Sequence, residues 1–517
     1  MRGQSILRKA FGPLVLAAMA CCLAGPGGAA ARPALYTPPA CQTVKFRSEP
    51  DLNAQRACMN VGVHTHRTQS GSYLFLTPDN DGVGIFRDTG ALVGWLQRPA
   101  GATEEHDATV VKLRGRRYLA AWAGTARQIG KNGVSVNSGT VLLYNEHYQQ
   151  VGEITAGPPF NPDRVDMHEF RITPQGDALI GIYEPDRMTI HHRSVTVVQY
   201  VVQKLSLVHD SSGIHTGKVL FQWRSLRHVP LSDSYAGNPG DGGAWDYFHG
   251  NAVAQDTDGN LLISARNTWA IYKVSARTGQ ILWQVGARGD HRLGHPWCFQ
   301  HDIDPLGNNE YSLFDDGGAG PDCLPGRSEH ASRGLIIRVD PSKQPAGVTL
   351  VHAYTHHPAI DTGYLGSVQR LSNGDVLVDW GNQPEITQYS PDGKKLVMDL
   401  SLSFQSYRGF RDAWVGSPTT KPSVAAQATT SGTKVWASWN GATKVVSWRV
   451  LVGPAPTALA PISSSVKRQG FETRISLNRR YPEVAVQALG SSGQVLGTSQ
   501  PVSTLRQSAR DTGRSAG

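Results

Sequence analysis

The chain has 517 residues, 56 of them glycine, with 18 % charged residues and a formal net charge of +9. A length of this order holds two or three domains of roughly 100–200 residues each, and a glycine-rich, charge-poor mix suits short strands and tight turns better than long surface helices. The positive excess is spread thinly, with no lysine tract and no arginine stripe interleaved with aromatics; this argues against nucleic acid as a partner and leaves a weak preference for small anionic substrates.

The N-terminus reads as an export signal over residues 1–31. Arg2, Arg8 and Lys9 form its basic start, Phe11 to Leu23 its apolar stretch, and Ala29-Ala30-Ala31 a small-residue cleavage site. The expected location is therefore outside the cell. A lipoprotein reading at Ala20-Cys21 is weaker, because Ala18 stands where leucine is usual. No later run approaches the roughly 20 apolar residues of a membrane span. The mature chain keeps Cys41, Cys58, Cys298 and Cys323. An even number in an oxidising compartment predicts two disulfides. Of the three pairings, the local one is expected, Cys41–Cys58 with Cys298–Cys323. Close CxxC pairs, which a zinc site would need, are absent.

From residue 73 a single cadence recurs six times: strand, acidic-glycine turn, strand. It appears at Tyr73 to Gly82, Thr109 to Gly115, Phe170 to Ile180, Ala252 to Ser264, Ile303 to Phe314 and Val368 to Val378. Further aliphatic strands follow, such as Ile271-Tyr272-Lys273-Val274 and Ile336-Ile337-Arg338-Val339. Multi-strand repeats of this length read as propeller blades. The expected fold is all-β, a six-bladed β-propeller over residues 32–415. Gly416 to Pro422 reads as a linker. Residues 423–503 alternate with period two and carry Trp436, Trp439 and Trp448, enough aromatic mass for the core of a small fibronectin-III or immunoglobulin-like sandwich. A disordered tail is expected over 504–517.

Three histidines share one phase of the repeat. His168, His249 and His301 each stand just before the strand that leads into an acidic-glycine hairpin. In a propeller that strand is innermost, so the three side chains are expected to converge at one end of the central channel. Arg266 ends the returning strand Leu261 to Ala265 and is expected to face them. Imidazoles with a planar guanidinium suit a tetrahedral oxyanion such as sulfate or phosphate. A purely structural repeat signature and a three-histidine metal site are competing readings, the second opposed by the arginine charge. No phosphate-binding GxxxxGK[ST] loop and no GxSxG elbow is present.

His249-Gly250-Asn251, Ser264-Ala265-Arg266, Ile271 to Val274, Thr278-Gly279-Gln280-Ile281-Leu282-Trp283 and Gln300-His301 resemble, in order and spacing, the arylsulfotransferase family, in its secreted actinobacterial and fungal-like branch. The resemblance implies a six-bladed propeller that moves a sulfuryl group from an aryl sulfate to a phenolic acceptor, without a cofactor, metal or nucleotide. It implies that His301 is the histidine transiently sulfated. His249, Asn251 and Arg266 would hold the sulfuryl oxygens, with Gln300 beside the nucleophile and His168 a further member of the site. Asp302 after the nucleophile and the C-terminal sandwich depart from the family pattern. A non-catalytic secreted propeller that binds a carbohydrate, peptide or cell-surface partner is the alternative.

Overall fold

The computed structural model describes residues 45–52, 59–64, 71–286, 297–317 and 331–504. The expected signal peptide, Cys41, Cys58, Cys323 and residues 505–517 lie outside them. The described residues are all-β: strands and four three-residue 3-10 turns, with no α-helix. None of their helices is long and apolar enough to cross a membrane.

Residues 72–413 form consecutive four-stranded antiparallel units, numbered here I to VI. Unit I contains Ser72–Leu76, Gly82–Phe86 and Leu92–Gln97, and its fourth strand, Phe410–Ala413, arrives from the far end of the chain. Unit II runs from Glu104–Leu113 to Gln150–Ile154, and unit III from Phe170–Ile172 to Gly213–Arg224. Unit IV runs from Gly250–Gln255 to Ile281–Gly286, unit V from His301–Gly307 to Gly347–Tyr354, and unit VI from Ser367–Arg370 to Leu396–Leu402. Met59–His64 adds a fifth strand to the edge of unit VI. Units II and III merge into one sheet where Gly152 and Glu153 pair in parallel with Ile214 and His215.

Alternate residues of the inner strands serve two different cores. Leu74 and Leu76 pack with Leu377, Ile386 and Leu400 of unit VI, while Tyr73 and Phe75 pack with Leu119 and Ala121 of unit II. Leu261 and Ile263 face unit III, and Leu262 faces unit V. Strands buried on both faces read as unbroken apolar runs, as these do in the sequence. Each unit shares a core with the next, and unit VI shares one with unit I, closing the series on itself.

Beyond residue 422 lie two further sheets. One holds Ser423–Thr429, Gly432–Ser438 and Glu472–Leu477; the other is built on Ser447–Gly453 and Glu483–Leu489. Trp439 and Trp448 enter the core between them with Val435, Ile475 and Val486. Trp436 does not join that core. It alternates with Val435 and Ala437, so period two turns it to the opposite face, where the Arg47 guanidinium covers its ring at 4.7 Å. Thr504, which the sequence reading places in the tail, donates to the Tyr481 carbonyl at 2.7 Å.

Residues 416–422 are fastened rather than loose: Gly416 N donates to Thr443 Oγ1 at 3.0 Å, and Ser417 N to the Glu146 carbonyl at 2.7 Å. The C-terminal sheets dock on units I and II. Asn440 brackets the Trp95 backbone, accepting from its N at 2.8 Å and donating to its O at 2.9 Å. Tyr148 donates to the Gly441 carbonyl at 2.7 Å, and Phe471 completes the core between units I and VI. Gly94 and Gly441 meet backbone to backbone, so a Cβ on Gly94 would stand 2.7 Å from the Gly441 Cα. Truncation at Pro418 is therefore expected to lower the melting temperature clearly. Activity per folded molecule should survive, because the contacts of the three histidines described below come from residues before 423. Calorimetry and an assay of the soluble truncated chain check this; activity lost from a chain still folded overturns it.

Candidate active site

The inner strands of units II, IV and V each open on a bulge. The pairing register slips between His106 and Thr109, between Gly250 and Ala252, and between His301 and Asp304. At these points Asp107, His249 and Asp302 adopt left-handed backbone, with φ of 53°, 52° and 56°. Such strain costs on the order of 1–3 kcal/mol for a residue with a side chain, and a bulge re-aims the side chains beside it.

Each of the three histidines has its Nδ1 tied to a carboxylate. His168 Nδ1 lies 2.7 Å from Asp166 Oδ2, and His301 Nδ1 lies 2.7 Å from Asp316 Oδ2. His249 Nδ1 pairs in the same way with Asp246 Oδ2. A proton held on Nδ1 by a carboxylate leaves the lone pair on Nε2. The His168 and His249 rings stand 5.2 Å apart, and Tyr183 lies 5.5 and 5.6 Å from them. Side-chain exposure falls from 22 % at His249 to 6 % at His168 and 2 % at His301, which puts His249 nearest solvent and His301 deepest.

Arg266 does not end a strand as expected. The strand stops at Ala265, and Arg266 opens a 3-10 turn, its N donating to the His249 carbonyl at 2.9 Å. The guanidinium lies over Phe299 at 4.5 Å and donates to Asn267 Oδ1 and to the Gly363 carbonyl, both at 3.1 Å. Burial disfavours charge on both members of the His301–Asp316 pair. It pushes His301 well below the usual histidine value and Asp316 well above the usual carboxylate value. The Arg266 charge lowers both, and His168, Arg408 and His249 lower His301 further. His249 is also lowered, chiefly by burial and against the pull of Asp246. Burial and the Arg266 charge thus both disfavour a proton on His301.

Asn251 and Gln300, expected to bind substrate, donate across the seam between units IV and V. Asn251 Nδ2 donates to the Gln300 carbonyl at 2.7 Å. Gln300 Nε2 is shared among Ser264 Oγ, the Ala265 carbonyl and the Ala270 carbonyl at 3.1–3.2 Å. Their amide protons stitch unit IV to unit V.

Sequence reasoning missed the group next to the histidines. Arg408, 1 % exposed, meets Glu169 Oε2 at 3.1 Å, Asp107 Oδ1 at 3.3 Å and Asp302 Oδ1 at 3.7 Å, and donates to the Asn251 carbonyl at 2.8 Å. Arg171 binds Glu169, Asp302 and Asp304 at 2.8–3.1 Å. Tyr407 donates to the His168 carbonyl at 2.9 Å and sets its ring edge-on to His168 and His106. Burial pushes Asp107 and Asp304 up to about 7 despite these arginines. A signal was present: His106-Asp107, His168-Glu169 and His301-Asp302 repeat one dipeptide, histidine then acid, at one phase of the units. The arrangement also bears on the metal reading. Among the described residues, the side chains whose ligand atoms lie within metal reach of one another are His356, Glu385 and Asp399, not the three histidines.

Cys298 is disulfide-bonded. Every other cysteine of the chain, including the expected partner Cys323, lies outside the described residues.

The sequence model of the arylsulfotransferase (ASST) family matches residues 109–403, and the chain belongs to that family. The fold is similar to a protein of unknown function from Bacteroides caccae, with 13 % identity, a TM-score of 0.40, and 66 % of this chain and 99 % of that one covered. It is similar also to a streptogramin B lyase, with 10 % identity, a TM-score of 0.32 and coverage of 68 % and 97 %. A third similar structure is a catalytically inactive virginiamycin B lyase from Staphylococcus aureus with quinupristin, with 10 % identity, a TM-score of 0.29 and coverage of 74 % and 96 %. No curated protein matches the chain.

Proposed function

We propose that the chain is a secreted, nucleotide-independent aryl sulfate sulfotransferase of the actinobacterial and fungal-like branch. Units I to VI are read as the six blades of a propeller, followed by a fibronectin-III-like sandwich. The observation that carries the functional reading is the state of His301: Nδ1 fixed by Asp316, Nε2 neutral, and Arg266 with two further histidines in its electrostatic reach.

In this reading His301 Nε2 attacks the sulfur of a phenolic sulfate ester. The S–O bond to the aryl group breaks, the electron pair leaves on the phenolate, and an N–S bond forms. A second phenol then attacks the sulfohistidine: its O–S bond forms as the N–S bond breaks, the electron pair returns to Nε2, and the proton it gives up to solvent balances the one the first phenolate takes up. Arg266 and His249 stabilise the sulfuryl oxygens; preorganised donors of this kind commonly contribute on the order of 3 kcal/mol each. Asp316, Asp246 and Asp166 fix the orientation of the three rings. The Cys298–Cys323 bridge is read as the staple of the loop beside His301.

The test is release of a coloured phenol from an aryl sulfate with a phenolic acceptor present and absent. Release that depends on the acceptor is expected, and no release under any donor–acceptor pair would overturn the reading. The pH profile is a second measurement. Attack needs unprotonated His301, so the rate falls as pH drops through its pKa. An ordinary histidine would set that limb near ~6.5. Burial and the Arg266 charge place it well below that here, and Arg266→Gln should move it back upward.

A further inference from the structure

Outside the histidine centre, one cluster gathers side chains that ligate metals, His356, Glu385 and Asp399. His356 lies on the segment after Gly347–Tyr354, Glu385 on the strand Glu385–Tyr389, and Asp399 on Leu396–Leu402 of unit VI. One ligand atom from each lies within 4.8 Å of the others, and His356 Nε2 stands 3.6 Å from Asp399 Oδ1. That separation is close to the edge of a tetrahedron whose centre binds nitrogen and oxygen at about 2.0–2.2 Å.

The surroundings orient these atoms as ligands. His356 Nδ1 lies 2.7 Å from the Pro358 carbonyl, which takes the ring proton and leaves the Nε2 lone pair facing the carboxylates. Metal-binding histidines are commonly fixed in this way. Thr387 donates to Asp399 Oδ1 at 3.2 Å and is itself held by Trp380 Nε1 at 2.9 Å. Ser401 donates to Glu385 Oε1 at 3.3 Å. Glu385 is only 3 % exposed, and its Oε2 is buried without a hydrogen-bond partner. Without a cation, the two carboxyls and the imidazole reach neutrality by sharing a proton between the carboxyls while the imidazole is protonated. A dication with a neutral imidazole balances both carboxylates to zero.

We propose that His356, Glu385 and Asp399 bind one divalent first-row cation, with Zn²⁺ favoured by the mixed imidazole and carboxylate donors. The role is structural. The segment that carries His356 continues to Thr362 and Gly363, which reach Asp316 Oδ1 at 3.3 Å and accept from Arg266 Nη2 at 3.1 Å. The cation pins this segment to unit VI and so supports the partners of His301 and Arg266 from behind.

The experiment uses the full chain, stripped with a chelator and titrated with Zn²⁺ by calorimetry, with metal content measured by mass spectrometry. One equivalent should bind, and the melting temperature should rise on binding. His356→Gln and Glu385→Gln should each weaken binding at least tenfold and remove the thermal shift. His301→Asn should leave both intact, which separates this site from the central histidines and from any result on sulfuryl transfer. The proposal is overturned if the wild type binds neither Zn²⁺ nor Mn²⁺, if both glutamine variants bind as tightly as the wild type, or if His301→Asn is the variant that abolishes binding. In the first case the Glu385 and Asp399 carboxyls share a proton instead.

Discussion

His301→Asn should reduce sulfuryl transfer by roughly four orders of magnitude or more while the chain stays folded. Asparagine still offers an amide N–H toward Asp316, which held the Nδ1 side of the ring at 2.7 Å. It offers no lone pair where Nε2 stood, so the sulfohistidine cannot form. Single-turnover mixing with an aryl sulfate, in the absence of acceptor, separates this from simple loss of binding. The wild type should release one equivalent of phenol in a burst and carry a sulfuryl adduct on the peptide containing His301. The variant should show neither, with an unchanged circular dichroism spectrum. His249→Asn removes a stabilising group and not the nucleophile, so a smaller loss of about 10²-fold is expected. If the His301→Asn protein transfers at an undiminished rate, the reaction proceeds through another residue.

Arg408→Met should be the most destabilising single change near the site, by about 3–5 kcal/mol. Methionine matches the volume of the stem but leaves Asp107, Glu169 and Asp302 facing one another without the cation that joins them. The loss should depend on pH in a definite direction. Burial already holds Asp107 up at about 7, with Arg408 pulling against it, so removing Arg408 raises it further. A carboxyl whose folded value exceeds its unfolded value of roughly 3.9 takes its proton first in the folded state. The deficit is therefore full above the folded value and shrinks as pH falls from 8 to 5. Urea unfolding at both pH values measures it. An equal deficit at both would mean that the carboxylates are neutralised by something other than Arg408 and Arg171.

The parts of the molecule legible from sequence are those governed by local chemistry. Most of the expected hairpins sit between strands where the turn residues place them, because a turn needing positive φ favours Gly, Asn or Asp; Gly176, Gly259 and Gly374 take φ of 86–88°, while in unit II Arg114 takes φ of 50° beside Gly115. The common phase of His168, His249 and His301 was visible for the same reason. Their carboxylate partners were not: Asp166 and Asp246 precede their histidines by different intervals, and Asp316 lies just past the end of the next strand, Glu310–Asp315. No fixed spacing marks such pairs. Arg408 was invisible because its significance lies in contacts to residues far away in the chain, 301 positions in the case of Asp107. The long hairpin of Ala178–Ile190 and Arg193–Asp210 also escaped notice, since it turns on His191 and His192, with φ of 46° and 63°, rather than on glycine. The bonds that Asn251 and Gln300 make across the seam between units IV and V were not legible either, since motif adjacency does not show where an amide places its protons.

The fourth strand of unit I has a consequence for the order in which the molecule can assemble. Ser72–Leu76 emerges early but cannot pair on one side until Phe410–Ala413 has been made. Until then that edge is open, and open edges recruit other chains. Units II to V can zip from local contacts as they appear, whereas closing the ends must bring together residues more than three hundred apart, a slow kind of contact. Arg408 stands two residues before the closing strand, so the cation that quiets the buried carboxylates of units II, III and V arrives with the last piece. A chain stalled or clipped before this point would hold an incomplete ring and an unneutralised centre, and its inactivity would be settled before any substrate met the histidines.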